Sequence, residues 1–330
     1  MVTQIRTISS NTFYPYFNLA LEKYLFDTVD DHTVILYMWQ NERTVIYGCN
    51  QNARKEVYIS KLIDDGGFPV RRLSGGGAVF HDKGNLNFTF LAKKDNFNVD
   101  KQLQVIIEAC RLLGLTAERA ENSDLIIEGR RFSDNAFYKS GDRCFHHGTL
   151  LVSMDTAMVS EYLNADCSQP EPKGADYVKP EAGNLVDFCP SLDIETMRGK
   201  MFEAFEHVYG LKAVPMSGEE LDPAVISSYE KIFSDDNWLY GRRIKFKNRI
   251  SRRFAWGDFD LNLNVDRGTI TTAQLYSDAG DEHFIASIGE KLEGTPCSFE
   301  ALSELVKSCC TSPEHDAMAE DICGLLSESI

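Results

Sequence analysis

The stretch RRLSGGGAVFHDKGNLNFTF, residues 71–90, sets Arg71 and Arg72 ahead of three consecutive glycines and ends in alternating apolar residues. Glycines let a backbone approach a ligand closely, because no Cβ holds it away. Their N–H groups can form a nest for phosphate or carboxylate oxygens. Two arginines at the mouth of such a loop would add forked donors to the same anion. Neither common nucleotide motif is present: there is no G-x-x-x-x-G-K-[ST], and no G-x-G-x-x-G leads from a strand into a helix. Ala78, Val79 and Phe80, and then residues 85–90, have strand composition. The pattern points to an anion site between two strands. A tight β-turn with a surface arginine pair is the alternative reading.

The flanking segments read as a mixed α/β order. YFNLALEKYLFDTV has apolar residues at helical spacing, with Asn11 or a neighbouring threonine as its expected cap. TVILYMW and TVIYG read as strands about the turn QNER, and RKEVYISKLIDDGG as one helix ended by Gly66 and Gly67. FPVRRL carries the chain into the glycines as a strand. DKQLQVIIEACRLLGL is a second amphipathic helix, and residues 123–154 alternate strands and turns. Residues 160–190, rich in Asp, Pro, Lys and Gly, read as a loop or lid. A helix follows at IETMRGKMFEAFEHVYG. Beyond the polar stretch SDDNWLYGRRIKFKNRI, residues 252–278 read as three short antiparallel strands followed by helices. The composition shift places a domain boundary near residue 245, giving units 1–245 and 246–330.

The gross properties narrow the function. At 330 residues the chain can hold one large domain and a small one. Its 43% hydrophobic and 25% charged content is that of an ordinary globular protein. A net charge of −16 argues against nucleic acid as a partner. No apolar block of signal-peptide or membrane-span type is evident, so the expectation is a cytoplasmic protein without a membrane anchor. Nine cysteines without C-x-x-C spacing read as thiols rather than as a disulfide frame or zinc site.

RRLSGGGAVFHDKGNLNFTF resembles the signature of the lipoate–protein ligase A family, within the biotin and lipoate protein ligase fold. PYFNLALEKYLF resembles that family's first helix, and VIYGCNQN with KEV the strand-turn after it. SDLIIEGRRFSDNAF stands where the family has its adenylate strand, CFHHGTLLVSMD where it has a pocket wall, and the stretch after residue 245 where it has a small accessory domain. The resemblance implies an α+β catalytic domain of mixed sheets flanked by helices, plus a small α+β C-terminal domain. It implies ATP- and Mg²⁺-dependent activation of lipoate or a related acyl acid to an acyl-adenylate. The acyl group would pass to a lysine of a lipoyl carrier domain, in an oxo-acid dehydrogenase or the glycine cleavage H protein. By resemblance Arg72 would grip the phosphates, while Gly75, Gly76 and Gly77 let the loop wrap the adenylate. Ala78, Val79 and Phe80 would run beside the adenine. Asn85 and Asp124 would order the nucleotide and the metal, with Asp124 as metal ligand. Arg71, Ser74, His81 and His147 would border the acyl substrate, although a histidine on an apolar strand is also commonly a hydrogen-bonded core residue.

The sequence departs from the family on the adenylate strand. The family pattern there is approximately R-K-x-S-G-[NS]-A, whereas the chain reads Arg130, Arg131, Phe132, Ser133, Asp134, Asn135, Ala136. Arg131 thus takes the place of a catalytic lysine and Asp134 that of a glycine. A guanidinium is planar and larger than an ammonium, so the exchange is not conservative at a close contact. Asp134 could pair with Arg131 and steer it aside, or bind a metal. Further on, KGADYVKPEAGNL keeps Lys173, Gly174 and Asn184 but lacks the family's arginine pair, and Cys49 replaces a commonly basic residue. Three functions remain open: a ligase using Arg131, an acyltransferase with Cys144 or Cys49 as nucleophile, and a non-catalytic binder of lipoyl carriers or a lipoyl ligand.

Overall fold

The computed structural model describes residues 1–120, 124–164, 180–241 and 246–330. Strand β2 (Thr33–Trp39) shows why one sheet organises the larger unit. All 7 of its residues are buried, which requires cover on both faces. Its side chains alternate: Val34, Leu36 and Met38 enter one apolar cluster, and Ile35, Tyr37 and Trp39 another. Helices α4 (Val99–Leu112) and α6 (Ile194–Tyr209) supply Leu103, Ile106, Met201 and Phe205 to the first cluster. Helices α1 (Pro15–Thr28) and α7 (Pro223–Phe233) supply Leu19, Leu25, Ile226 and Phe233 to the second.

The sheet also contains β1 (Gln4–Ser9), β6 (Asn85–Lys93), β10 (Asn135–Ser140), β11 (Arg143–Leu151) and β12 (Ala213–Pro215), in the order β10-β11-β6-β2-β1-β12. The pairings of β1 with β2 and β12 are parallel and the others antiparallel, so the sheet is mixed. Its register puts polar groups on one face. Thr89 lies opposite His147 and Tyr37, and Asn87 opposite Thr149 and Trp39. Asn85, Asn87, Thr89, His147 and Thr149 are all buried. A row of buried polar side chains on the α1 side of the sheet is costly unless it has partners, so it marks the site.

A second sheet holds β3 (Thr44–Tyr47), with β4 (Phe68–Arg71) parallel on one side and β5 (Val79–His81) antiparallel on the other. The glycine run is the link from β4 to β5, and so lies between strands as its composition predicts. A third sheet holds β7 (Glu118–Arg119), β8 (Leu125–Ile127) and β9 (Arg130–Ser133). In the C-terminal unit β13 (Asn248–Phe254), β14 (Gly257–Asp266) and β15 (Thr269–Tyr276) form the expected antiparallel meander. Helices α9 (Glu282–Lys291), α10 (Phe299–Lys307) and α11 (Pro313–Ser329) complete a separate core around Phe259, Leu261, Ile288 and Ile322. The fold is α+β, and no described helix is long and apolar enough to cross a membrane.

Two local expectations are corrected, and others fall outside the described residues. Tyr14, not Asn11 or a threonine, is the N-cap of α1, and it makes no side-chain capping bond; Pro15 begins the helix, where its missing N–H costs nothing. Residues 54–67 do not form one helix. They form α2 (Ala53–Glu56) and α3 (Ile59–Asp64), because Val57 leaves the helix to bridge Leu163 and Tyr58 N–H donates at 2.9 Å to the carbonyl of Tyr162, the last residue of α5 (Ala157–Tyr162). Helix α7, which the sequence reading passed over, is capped by Asp222. Lys173, Gly174 and the boundary near residue 245 lie outside the described residues.

The C-terminal unit packs against α2. Lys55 Nζ lies 3.0 Å from Asp258 Oδ2, and Ser277 N–H donates to the Asn50 carbonyl at 2.7 Å. Glu56 is buried there, and its Oε2 has no hydrogen-bond partner among the described residues. Burial, helped by the negative charges of Asp278 and Asp258, pushes its carboxyl from 4.5 up to about 8, against the pull of Lys55 and Arg253. The packed state therefore holds a proton that an exposed Glu56 would release. Its contribution is complete below about 4.5, falls as pH rises and is gone above about 8. The units should separate more at about pH 9 than at about pH 6. Small-angle scattering should show a larger radius of gyration at the higher pH, and Glu56→Gln should remove the difference. An identical pH response in that variant would assign the effect to another group.

Candidate active site

The glycine loop is built around Arg72, which is only 6% exposed. Its Nε donates to Ser74 Oγ at 3.0 Å, its Nη2 to the Gly75 and Gly77 carbonyls at 2.6 and 2.9 Å, and its Nη1 to the Ile46 carbonyl at 3.3 Å. Burial pulls the guanidinium down to about 10, still far above neutrality. Gly76 adopts φ +88°, open to glycine at little cost. The loop also passes so close to the end of β3 that a Cβ on Gly48 would lie 2.3 Å from the Gly76 carbonyl oxygen. Gly48 was not singled out by the sequence.

The picture of an arginine pair exposed at the loop mouth is thus corrected. Arg71 is also buried, with donors on the carbonyls of Trp238, Leu239, Gly48, Cys49 and Gln51. It fastens β4 to α8 (Asp236–Tyr240) and to the turn after β3. These bonds arise because backbone carbonyls at the ends of short elements need donors when buried.

The structure brings Ser74 and His147 together, with Ser74 Oγ 2.7 Å from His147 Nε2. The other ring nitrogen lies 2.9 Å from Oε1 of Glu22, a carboxylate 1% exposed on α1. Thr89 Oγ1 donates to the same oxygen at 2.7 Å. Glu22 was not singled out by the sequence, where it reads as a polar residue of an amphipathic helix. His81 is buried on β5, and burial, with Arg72 and His147 adding to it, lowers its pKa to about 3. It is therefore a neutral imidazole.

Several polar groups around this cluster lack partners. Among the described residues His81 Nε2, Asn85 Oδ1, Asn87 Nδ2, Ser133 Oγ and Arg131 Nε are buried without a hydrogen-bond partner. Such groups are rare in folded interiors and suit a polar ligand. Asn85 Nδ2 donates to Asn87 Oδ1 at 2.9 Å, which links two of the residues. Asn87 could have been found from NLNFTF, where Asn85, Asn87 and Thr89 fall at period two on an otherwise apolar strand.

Arg131 and Asp134 form an ion pair. The Asp134 charge also acts on Arg72 and His81, so the pair belongs to the same electrostatic neighbourhood. The backbone of Arg131 exchanges hydrogen bonds with residues 181–183 at 2.8 and 2.9 Å, so the chain following residues 165–179 seals one side of β9. Asp124 is half-buried at the start of β8, and no group of three or more His, Cys, Asp or Glu among the described residues is arranged for a metal ion. Ala78 and Val79 are half-buried, and the Phe80 ring is buried against Tyr162 at 5.5 Å.

The C-terminal unit closes over the loop. Gly76 N–H donates to the Ala279 carbonyl at 3.4 Å, and a Cβ on Gly75 would lie 2.8 Å from that oxygen and 3.2 Å from Glu282 Oε2. Neither candidate thiol is a ready nucleophile. Burial pushes Cys49 up to about 12 and raises Cys144 as well.

Because Arg72 holds the loop from within, Arg72→Ala should loosen the loop and lower stability by about 1–3 kcal/mol, the cost of leaving buried carbonyls without donors. Denaturant unfolding measures this. Unchanged stability would mean that the guanidinium's bonds are dispensable to the loop.

Two family descriptions match the chain: the lipoyl protein ligase A/B catalytic domain over residues 14–206, and the bacterial lipoate protein ligase C-terminus over residues 243–326. A lipoate-protein ligase A of Bdellovibrio bacteriovorus is 32% identical, with 92% of each chain covered. One of Psychrobacter cryohalolentis is 36% identical, with 88% of each covered. Among solved structures, P. falciparum LipL1 in complex with lipoate superposes with a TM-score of 0.84 at 25% identity, covering 97% of this chain and 99% of that one. Taken with the glycine loop and the buried polar face beneath it, these matches show that the chain belongs to the lipoate-protein ligase A family.

Proposed function

We propose that the protein activates lipoate with ATP to lipoyl-AMP and transfers the lipoyl group to a lysine of a lipoyl carrier domain, with 1–245 as catalytic unit and 246–330 as accessory unit. The observation that carries this reading is the set of buried polar atoms without partners among the described residues, beside a glycine loop in a chain of this family. In the first step a lipoate carboxylate oxygen attacks the α-phosphorus of ATP and pyrophosphate leaves. In the second the carrier lysine's amine attacks the acyl carbon, AMP leaves and the amine loses a proton. No covalent enzyme intermediate is required, so positioning and charge stabilisation supply the catalysis.

The roles follow from the chemistry of the groups. Gly75, Gly76 and Gly77 would offer backbone approach to the phosphates, with the Gly76 N–H released from the Ala279 carbonyl as the C-terminal unit moves, and with Arg72 fixing their shape and adding positive charge beneath them. Arg131 is the cation suited to the charge that develops at the α-phosphate. His81 as a neutral imidazole, with His147 and Ser74, borders the acyl group, while Ala78, Val79 and Phe80 carry the backbone beside the base. Asn85 Oδ1 and the carboxylate of Asp124 are hard oxygen donors of the kind Mg²⁺ prefers. When bound with ATP, Mg²⁺ would neutralise phosphate charge and orient the leaving pyrophosphate.

The unreactive environments of Cys49 and Cys144 weigh against an acyl-cysteine route. Purified carrier domain incubated with ATP, Mg²⁺ and lipoate should gain the mass of one lipoyl group on a lysine. Retention of the apo mass, with the carrier still bound, would favour the non-catalytic reading. The packed C-terminal unit stands over the loop, so binding a lipoyl-adenylate analogue should also change the scattering profile. Identical profiles with and without the analogue would count against a moving accessory unit.

The Arg131–Asp134 pair bears on rate. Arg131→Lys alone should help little, because Asp134 would hold the ammonium too, whereas Asp134→Gly alone should free the guanidinium. Together they should raise lipoate-dependent pyrophosphate release beyond the sum of the single effects, with coupling of about 1–3 kcal/mol. A wild-type rate equal to the double variant's would make Arg131 a full substitute for lysine.

A further inference from the structure

The hydrogen bonds that end on the glycine loop begin on α1, at Glu22. Their direction depends on which nitrogen of His147 carries the proton. An ionised carboxylate accepts and cannot donate, so Glu22 Oε1 receives both the Thr89 hydroxyl at 2.7 Å and the His147 Nδ1–H at 2.9 Å. Thr89 is itself fixed, because Trp39 Nε1–H donates to its oxygen at 3.0 Å. A ring with its proton on Nδ1 alone would present Nε2 as an acceptor to the Ser74 hydroxyl, whose Oγ lies 2.7 Å away. That leaves the Ser74 oxygen free to accept from Arg72 Nε at 3.0 Å, and the remaining Arg72 donors hold Gly75 and Gly77.

In the Nδ1–H tautomer each link of this chain has one polarity. Glu22, His147 and Ser74 are 1%, 6% and 0% exposed, so water is poorly placed to substitute for any of them. Among the described residues no lysine or arginine pairs with Glu22; His147 is its one ionisable partner. A carboxylate left in such a place is expensive unless it does a task that a neutral residue cannot.

We propose that Glu22 is a positioning residue for the nucleotide loop: through His147 and Ser74 it fixes the orientation of Arg72 and hence the shape of the glycine turn. This rests on the reading of that loop as the ATP site. The relay gives a task to a carboxylate that this helix buries away from solvent. It also separates Glu22 from Asn85 and Asn87, whose Oδ1 and Nδ2 have no hydrogen-bond partner among the described residues.

The variant Glu22→Gln keeps the size and introduces an N–H₂ group. That amide can donate to His147 Nδ1, which moves the ring proton to Nε2. Nε2–H would then point at Ser74 Oγ, where Arg72 also donates, and the serine hydrogen would lose its acceptor. In ¹⁵N-histidine-labelled full-length protein, the wild-type His147 resonances should report a proton on Nδ1, and Glu22→Gln should shift the ring towards the Nε2–H form. ATP affinity measured by calorimetry should fall roughly 5- to 150-fold. Glu22→Asp, which retains an acceptor-only carboxylate, should recover part of the affinity and the Nδ1–H form.

If Glu22→Gln does not fold, Ser74→Ala tests the other end. It should leave the His147 proton on Nδ1 while weakening ATP by a similar factor. A wild-type ring protonated on Nε2 alone, or ATP affinity unmoved in the folded variants, would overturn the relay. Failure of the wild-type protein to bind ATP would instead refute the assignment of the loop, and the tautomer measurement would still decide the relay.

Discussion

A guanidinium shielded from water, with its Nε and Nη2 donors on the oxygens of one short loop, is the interaction on which the site depends. Arg72 turns residues 74–77 into a fixed turn, and every other feature of the site refers to that turn. Gly48 must lack a Cβ because the turn lies against β3. Ser74 can meet His147 because the turn brings it down onto β11. The positive charge is retained despite burial, since the ordinary guanidinium value lies so far above neutrality that a fall to about 10 leaves it protonated. The loop is thus at once rigid and cationic, which suits an anionic ligand that must be held while its bonds change.

The sheet register supplies the complement. Because strand side chains alternate, Asn85, Asn87 and Thr89 cannot avoid the same face as His147 and Thr149 once β6 pairs with β11 in this register. Helix α1 covers that face and brings Glu22 with it. The second cover is the C-terminal unit, whose Ala279 carbonyl and Glu282 carboxylate stand against Gly76 and Gly75. One side of the site is therefore built from permanent core, while the other is closed by a unit with a hydrophobic centre of its own.

Much of this could be read from the sequence where local chemistry decides the outcome. The glycine run, the strands on either side of it, the helices with a clear apolar face and the meander after residue 245 all have short-range signals. Arg131 and Asp134, three residues apart at the end of a strand, were close enough to suggest the pair they form. What escaped depends on packing between distant segments. Arg71 and Arg72 look like surface cations until the elements that bury them are assembled. Glu22 looks like the polar face of a helix, because the sheet it covers comes from residues 85–93 and 143–151. The break at Val57 follows from a bridge to Leu163, more than a hundred positions away.

The central claim is that this loop and polar face carry out acyl activation, a chemistry separable from transfer to any carrier. Lipoate-dependent exchange of labelled pyrophosphate into ATP, with no carrier present, reports that half-reaction alone. The protein should catalyse exchange only when lipoate and Mg²⁺ are both supplied, and loss of the loop's anchoring by Arg72→Ala should suppress it. Absence of lipoate-dependent exchange in a wild-type protein that binds both ATP and lipoate would contradict the claim.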